Sequence, residues 1–152
     1  MLSMKAKYAL KALCDLAGLP QGEVSTSGEI AARHRLPKKF LDAILGDLRA
    51  AGIVATRKGR SGGYHLARPA DLVSVGEVLR ILDGPLAPIA CASRTAYAPC
   101  TDCPEPVTCT VRLTMLEVRD AIARVLDAKT LRDLLLGGLP GLSDAGPVQA
   151  AP

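Results

Sequence analysis

The sequence predicts a mainly α fold carrying one small β-hairpin. Three observations point there. Apolar residues recur at helical spacing through most of residues 4–136, and with one Phe, three Tyr and no Trp the core must come from Leu, Ile, Val and Ala. Helix start and stop signals punctuate that periodicity. A basic, glycine-rich segment, RKGRSGG at 57–63, interrupts it between two short β-prone runs. At 152 residues the chain fits one domain with an extension.

The elements follow in order. Residues 4–19 place Tyr8, Ala9, Ala12, Leu13, Leu16 and Leu19 on one helical face, and Gly18 and Pro20 end the helix. Lys5, Lys7, Lys11 and Asp15 interrupt the apolar run, so it reads as an amphipathic helix rather than a signal peptide. Cys14 within it reads as a small packed side chain. Thr26 followed by Glu29 is a capping box, opening a second helix from Ser27 to His34. Arg35 and Leu36 turn the chain. Pro37 suits the first position of a third helix, with Phe40, Leu41, Ile44, Leu45 and Leu48 as its buried stripe and Gly52 as its left-handed stop.

Two helices joined by a tight turn form a helix-turn-helix pattern. In that motif the start of the second helix faces base edges, and here it carries Lys38, Lys39, Asp42 and Ala43. Taken alone, an ordinary helical hairpin with solvated lysines accounts for these residues better. The following segment changes the balance. Short strands at Ile53–Ala55 and Tyr64–Leu66 flank Arg57, Lys58 and Arg60 among glycines that permit close approach to a surface. Three cations on such a loop suit phosphate or groove contacts. The combination is a winged helix-turn-helix that binds double-stranded DNA. No G-x4-G-K-[S/T] pattern exists, which excludes a phosphate loop of that type.

Ser74 caps a fourth helix whose apolar face is Val75, Val78, Leu79 and Leu82, and Gly84-Pro85 ends it. Four cysteines then fall within nineteen residues, Cys91, Cys100, Cys103 and Cys109, spaced C-x8-C-x2-C-x5-C. Pro99, Pro104 and Pro106 keep the segment out of regular structure. Thiols this close on a loop signal metal or redox chemistry. The next segment, TVRLTMLEVRDAIARVLD, repeats Val111, Met115, Val118, Ile122 and Val125 as a narrow seam. At 1.5 Å rise it makes a helix of about 27 Å, with few partners left inside a small domain, so it reads as a long C-terminal dimerisation helix giving a homodimer. Thr130 caps a short final helix. The expected organisation is a DNA-binding domain over 1–84, a cysteine-rich sensor loop over 85–109, dimerisation and terminal helices over 110–136, and a disordered tail over 137–152.

Charge is uneven. Residues 1–70 hold twelve Lys/Arg against five Asp/Glu, whereas residues 71–152 hold seven against ten. A basic N-terminal part suits a polyanion partner as well as a solvated face. No apolar run is long enough to span a membrane, and an odd count of five cysteines suits a reducing cytoplasm.

The stretches MKAKYALKALCDLA, GEIAARHRLPKKFLDAILGDLRAAGIV and RKGRSGGYHLARPADLVSVGEVLRILDG, with the cysteine loop leading into the long helix, resemble the Rrf-two family of bacterial winged-helix transcription regulators. The GGY of the wing followed by SVGEVLRILDG carries the resemblance most specifically. The likeness covers about residues 1–136. It implies a homodimer, operator binding in promoters, no enzymatic activity, and often a cluster held by three loop cysteines. Cys103 and Cys109 have the spacing of the family's last pair. Its first cysteine corresponds to Cys91 or Cys100. Some relatives add a His where Arg112 stands, or an Asp from the partner subunit where Lys7 is nearest, so four loop thiolates would complete the site instead. The likeness also places Lys39, Asp42, Ala43 and Lys58 at DNA.

The leading occupant of the loop is an iron–sulfur cluster, 2Fe–2S or 4Fe–4S, with structural zinc or a metal-free thiol switch as rivals. A different class, an iron–sulfur electron carrier or an interaction module that reads no DNA, remains open. His34 and His65 are isolated and offer no catalytic constellation.

Overall fold

The computed structural model describes residues 2–103 and 105–137. Six α-helices, α1 (Met4–Ala17), α2 (Ser27–His34), α3 (Lys38–Ala50), α4 (Val75–Asp83), α5 (Thr110–Asp127) and α6 (Leu131–Leu135), surround one two-stranded sheet of β1 (Val54–Arg57) and β2 (Gly63–Leu66). Single 3-10 turns lie at Ala70–Leu72 and Ala90–Ala92. The mainly α winged-helix expectation holds.

Four of these six helices begin where a side chain satisfies a free amide, whereas α3 after Pro37 and α5 after Cys109 have no side-chain cap. Ser3 caps α1 by accepting from the Ala6 amide at 3.0 Å. The Thr26–Glu29 box forms in both directions at the start of α2. Ser74 accepts from Glu77 at α4, and Thr130 pairs reciprocally with Asp133 at α6. Between α2 and α3 the chain reverses through Arg35, whose φ of 53° is the single non-glycine left-handed backbone among the described residues. That residue makes the helix-turn-helix corner.

The core joins α1, α2, α3, α4, α6 and the sheet. Leu13, Ile30, Leu41, Ile44, Leu45, Leu48, Ile53, Val73, Val78 and Leu131 are fully buried. The strands pair antiparallel from Val54↔Leu66 to Arg57↔Gly63, and a bridge between Ser25 and Tyr64 adds the approach to α2 as a short third edge. β1 starts one residue later and ends two later than expected, and β2 starts one earlier, so Ile53 serves as a core plug rather than a strand residue.

Two expectations need correction. The first helix stops at Ala17, leaving Leu19 partly buried in the turn that follows. Phe40 is 39% exposed rather than part of the buried stripe of α3. The core closes over Leu41, Ile44, Leu45 and Leu48 and does not extend to the outer edge of that face. Phe40 instead lies edge-on to Tyr8, with ring centroids 5.9 Å apart.

Helix α5 occupies Thr110–Asp127, as its periodicity predicts, and it contains no buried residue. Val111, Leu113, Val118, Ile122 and Val125 all stand exposed. Its C-terminal end is nonetheless tied down. The Val75 amide donates to Lys129 O at 2.7 Å, Leu131 donates to Val73 O at 3.0 Å, and Arg80 of α4 forks onto Asp127 at 2.6 and 2.8 Å. Gly76 makes that junction possible, because a Cβ there would collide with the Asp127 carboxylate. The expected disordered tail, 137–152, lies outside the described residues except for Gly137.

Candidate nucleic-acid interface and cysteine loop

The start of α3 and the tip of the hairpin carry the cations expected at DNA. Lys38, Lys39, Lys58 and Arg60 are all exposed. Lys39, Lys58 and Arg60 have no side-chain ion pair or hydrogen bond among the described residues, so their charge is free for phosphate. Lys38 is not free. Its Nζ donates to Asp42 Oδ2 at 2.9 Å, one turn along the helix. Ser27 and Lys38 beside it hold the Asp42 carboxyl below its usual range. Any base contact by Asp42 competes with that pair. Ala43 is exposed beside them and presents only a methyl group.

Arg57 differs from the sequence expectation. It ends β1 rather than riding the loop, and its exposed guanidinium is engaged, donating to Gly22 O at 2.8 Å and Ser61 O at 3.2 Å. It buttresses the wing against the approach to α2. The glycines of the GGY motif have matching reasons. A Cβ on Gly62 would strike the Arg57 carbonyl, and one on Gly63 would lie 2.8 Å from Ser25 O. The wing stem therefore packs backbone to backbone on Ser25, where Tyr64 and Ser25 exchange hydrogen bonds of 2.8 and 3.0 Å.

A charged knot that sequence reading missed anchors the helix-turn-helix to α1. Arg33 forks onto Asp15 at 2.9 and 2.6 Å and reaches Ser25 Oγ at 2.5 Å, while His34 Nε2 meets Asp15 Oδ1 at 3.0 Å. Burial alone would raise the Asp15 carboxyl, but hydrogen bonds from Arg33 and His34 outweigh it and hold it below the usual carboxylate range. Residues 18 and 19 apart in sequence give no local periodicity to announce such a pair.

From Ser93 to Cys109 the described residues form only bends and turns. Cys91 is buried in the 3-10 turn, Cys103 and Cys109 are half-buried, and Cys100 is exposed. The thiols stand as two neighbouring pairs. Cys100 adjoins Cys91, which pushes its thiol up, and Cys103, raised by desolvation, adjoins Cys109. Cys109 sits at the N-cap of α5 without a full capping hydrogen bond, yet the Arg112 and Val111 amides lie close enough to pull its thiol down. Among the described residues no three Cys, His, Asp or Glu side chains converge as metal ligands. The donor set fits a thiolate-held cluster by its chemistry, four soft sulfurs with one acidified. The pairs must close toward each other to share one centre.

Arg112 and Arg119 of α5 hold the loop. Arg112 donates to Cys91 O at 2.9 Å and to Pro106 O at 3.4 Å, and Arg119 donates to Ala92 O at 2.6 Å. Arg112 thus spans the two ends of the cysteine segment through backbone contacts. Cys14, away from the loop, is half-buried in α1 with its thiol pushed up by burial, as a packing residue should be.

The chain matches, over residues 2–136, the family described as Rrf2, iron-dependent transcriptional regulator. It belongs to the Rrf2 family. Its members are transcriptional regulators that bind DNA, not enzymes. The rrf2-like HTH-type protein of Rhodobacter capsulatus is 46% identical over 143 residues, covering 92% of this chain and 95% of the relative. The structure of CymR, the global cysteine regulator of B. subtilis, superposes with a TM-score of 0.74 at 30% identity, covering 90% of this chain and 96% of that one. IscR of T. potens gives 0.70 at 28% identity, covering 100% and 93%. These likenesses establish this Rrf2-family chain as a winged-helix transcriptional regulator. No helix among its described residues is long and apolar enough to cross a membrane.

Proposed function

We propose that this Rrf2-family protein is a cytoplasmic homodimer that binds promoter operators in double-stranded DNA, with its affinity set by an iron–sulfur cluster on the cysteine loop. Cys91, Cys100, Cys103 and Cys109 would hold the cluster. Lys39, Asp42, Ala43, Lys58 and Arg60 would meet the operator, with Lys38 released from Asp42 on contact and Arg57 holding the wing. The exposed seam of α5 supports the dimer, because a helix with no buried residue leaves its apolar side chains to a second copy.

One observation carries the reading. The four thiols lie on the segment that both caps α5 and is clamped to it by Arg112 and Arg119, while the far end of α5 is forked onto α4 of the DNA-binding part. A cluster supplies a centre that iron supply and oxidants can remove or alter. The thiols hold it, the two arginines fix their backbone, and α5 carries the difference to the winged helix.

Anaerobic purification, with an absorption spectrum and iron and acid-labile sulfide analysis, tests this directly. Iron and sulfide that vanish when Cys103 and Cys109 become Ala are the expected result. A colourless, zinc-loaded protein would overturn it. The paired arrangement of the thiols favours one second reading, a metal-free switch in which a peroxide oxidises Cys91–Cys100 and Cys103–Cys109 to disulfides, each pair giving up two electrons and two protons as one peroxide is reduced to water or alcohol. Iron-free protein that regulates DNA binding through those two bridges, mapped by mass spectrometry, would establish it instead.

A further inference from the structure

A cleft of about 410 Å³ opens between the end of α4, the segments flanking the Ala90–Ala92 turn, and α5. Its volume lies in the range of small-ligand pockets. Its walls are tied in place. Arg119, its side chain 11% exposed, donates to Ala92 O at 2.6 Å and pins the turn to α5, and further along α5 the Arg80–Asp127 fork holds α4. Charge sets this cleft apart. Four guanidinium groups line it, Arg80, Arg94, Arg119 and Arg124, against two carboxylates, Asp120 and Asp127. Both carboxylates are already engaged. Asp127 takes the fork from Arg80, and Asp120 takes Arg119 at 2.6 Å and Arg94 at 3.3 Å. Hydrogen bonds from Arg119 and Arg80 hold the two carboxyls below their usual range, so each is fully charged at neutral pH. Arg124, one turn beyond Asp120, is exposed and has no side-chain partner among the described residues. Two positive charges therefore remain unmatched, and both gather about Asp120. One arises because two guanidiniums share that carboxylate, and the other is Arg124. Like charges held together in a concave site repel one another, and a bound anion relieves that repulsion.

We propose that this cleft binds a small organic phosphate monoester. Such a group carries about −1.5 to −2 charge at neutral pH on one compact centre, which matches the local excess, and guanidinium forks fit its oxygens in pairs. A dicarboxylate would spread the same charge over two separated groups. Ser93, 8% exposed, also lines the cleft. Its hydroxyl accepts from the Ala96 amide at 3.0 Å, and its own proton, given to no acceptor among the described residues, is available to a phosphate oxygen. Pro85, Leu86 and Ala123 supply an apolar wall for the organic body. At about 100° per residue, Asp120, Ala123, Arg124 and Asp127 lie on the face of α5 opposite Val111, Val118, Ile122 and Val125, so two copies pairing through that seam leave the cleft open. An occupant lies against both the loop and the α4–α5 junction. The site does not depend on what the cysteines bind.

The test is isothermal titration calorimetry of the full chain with phenyl phosphate. Inorganic phosphate, which lacks the organic body, and phenyl methyl phosphate, which carries one charge, serve as controls. Saturable binding of one phenyl phosphate per chain is expected, about tenfold tighter than either control. Arg124→Gln and Arg94→Gln change exposed side chains and should each weaken it by about fivefold, while circular dichroism and the melting transition stay those of the parent. Lys58→Ala, at the wing, should leave it unchanged, which separates this site from the cations proposed to meet DNA. No saturable binding of phenyl phosphate would overturn the proposal. So would equal affinity for either control, weakening by Lys58→Ala, or an affinity unchanged in both arginine variants.

Discussion

At the residue scale, the wing separates cations left free for the proposed DNA contact from one that builds the wing. Lys58 and Arg60 are exposed and unpaired among the described residues, whereas Arg57 is spent on the carbonyls of Gly22 and Ser61. Each phosphate contact contributes about 0.9 to the slope of log affinity against log salt. Lys58→Ala should therefore weaken operator binding and flatten that slope by about one, read by fluorescence anisotropy across a salt series. Arg57→Ala should lower affinity by loosening the hairpin, with the slope nearly unchanged. Asp15 supports a second prediction. Its carboxyl is held below the usual range, so the stability it contributes is complete above the unfolded value of about 3.9 and is lost as pH falls through the lower folded value. Asp15→Asn should cost about 1 kcal/mol near neutrality, kept modest by the half-exposed Arg33, and should remove part of the acid loss of stability. Denaturant midpoints compared at pH 7 and pH 3 check both effects. Neither the Arg57–Gly22 contact nor the Asp15 knot was legible in the sequence, because both join residues far apart along the chain and a charge on its own does not tell what it meets.

At the element scale, more was legible. The limits of α5 follow from its period and from Cys109 preceding Thr110, and the caps at Thr26, Ser74 and Thr130 were readable because a capping box is a local pattern. Phe40 was misplaced for a physical reason: a helical stripe says which face is apolar, not how far along it the core reaches. The cysteines were visible as a cluster, but their pairing as 91 with 100 and 103 with 109 needed the path of the loop. The α5 seam yields the prediction proper to this scale. Ile122 sits near the middle of the exposed row and is 37% accessible within one copy. Ile122→Asp places a charge where two seams would meet, at little cost to the fold of a single chain, because Ile122 is exposed and belongs to neither buried cluster. Sedimentation should show a dimer become a monomer, and operator affinity should fall by at least tenfold as the two-fold match is lost. A variant that stays dimeric would place the interface on another face.

At the scale of the whole molecule, the proposed regulation requires a change at the loop to reach the winged helix. The connection runs through α5, held by Arg112 and Arg119 at one end and by the Arg80–Asp127 fork at the other. These two ends differ in kind. The first orders the loop, and the second fixes the angle at which α5 leaves α4. Backbone bonds at Lys129 and Leu131 keep the chain attached there even without the fork, so Arg80→Ala should fold. Allosteric coupling between sites commonly amounts to about 1–3 kcal/mol, or roughly 5- to 150-fold in affinity. If the fork transmits the state of the loop, Arg80→Ala should leave iron and sulfide content at the parental level yet draw the operator affinities of the loaded and stripped forms together by several-fold. Asp127→Asn should do the same, and combining the two should add little beyond either alone, since both remove one interaction. Lost iron would instead place the residue among those that hold the loop. An unchanged affinity ratio at full loading would send the coupling through the dimer seam, where Ile122 tests it separately.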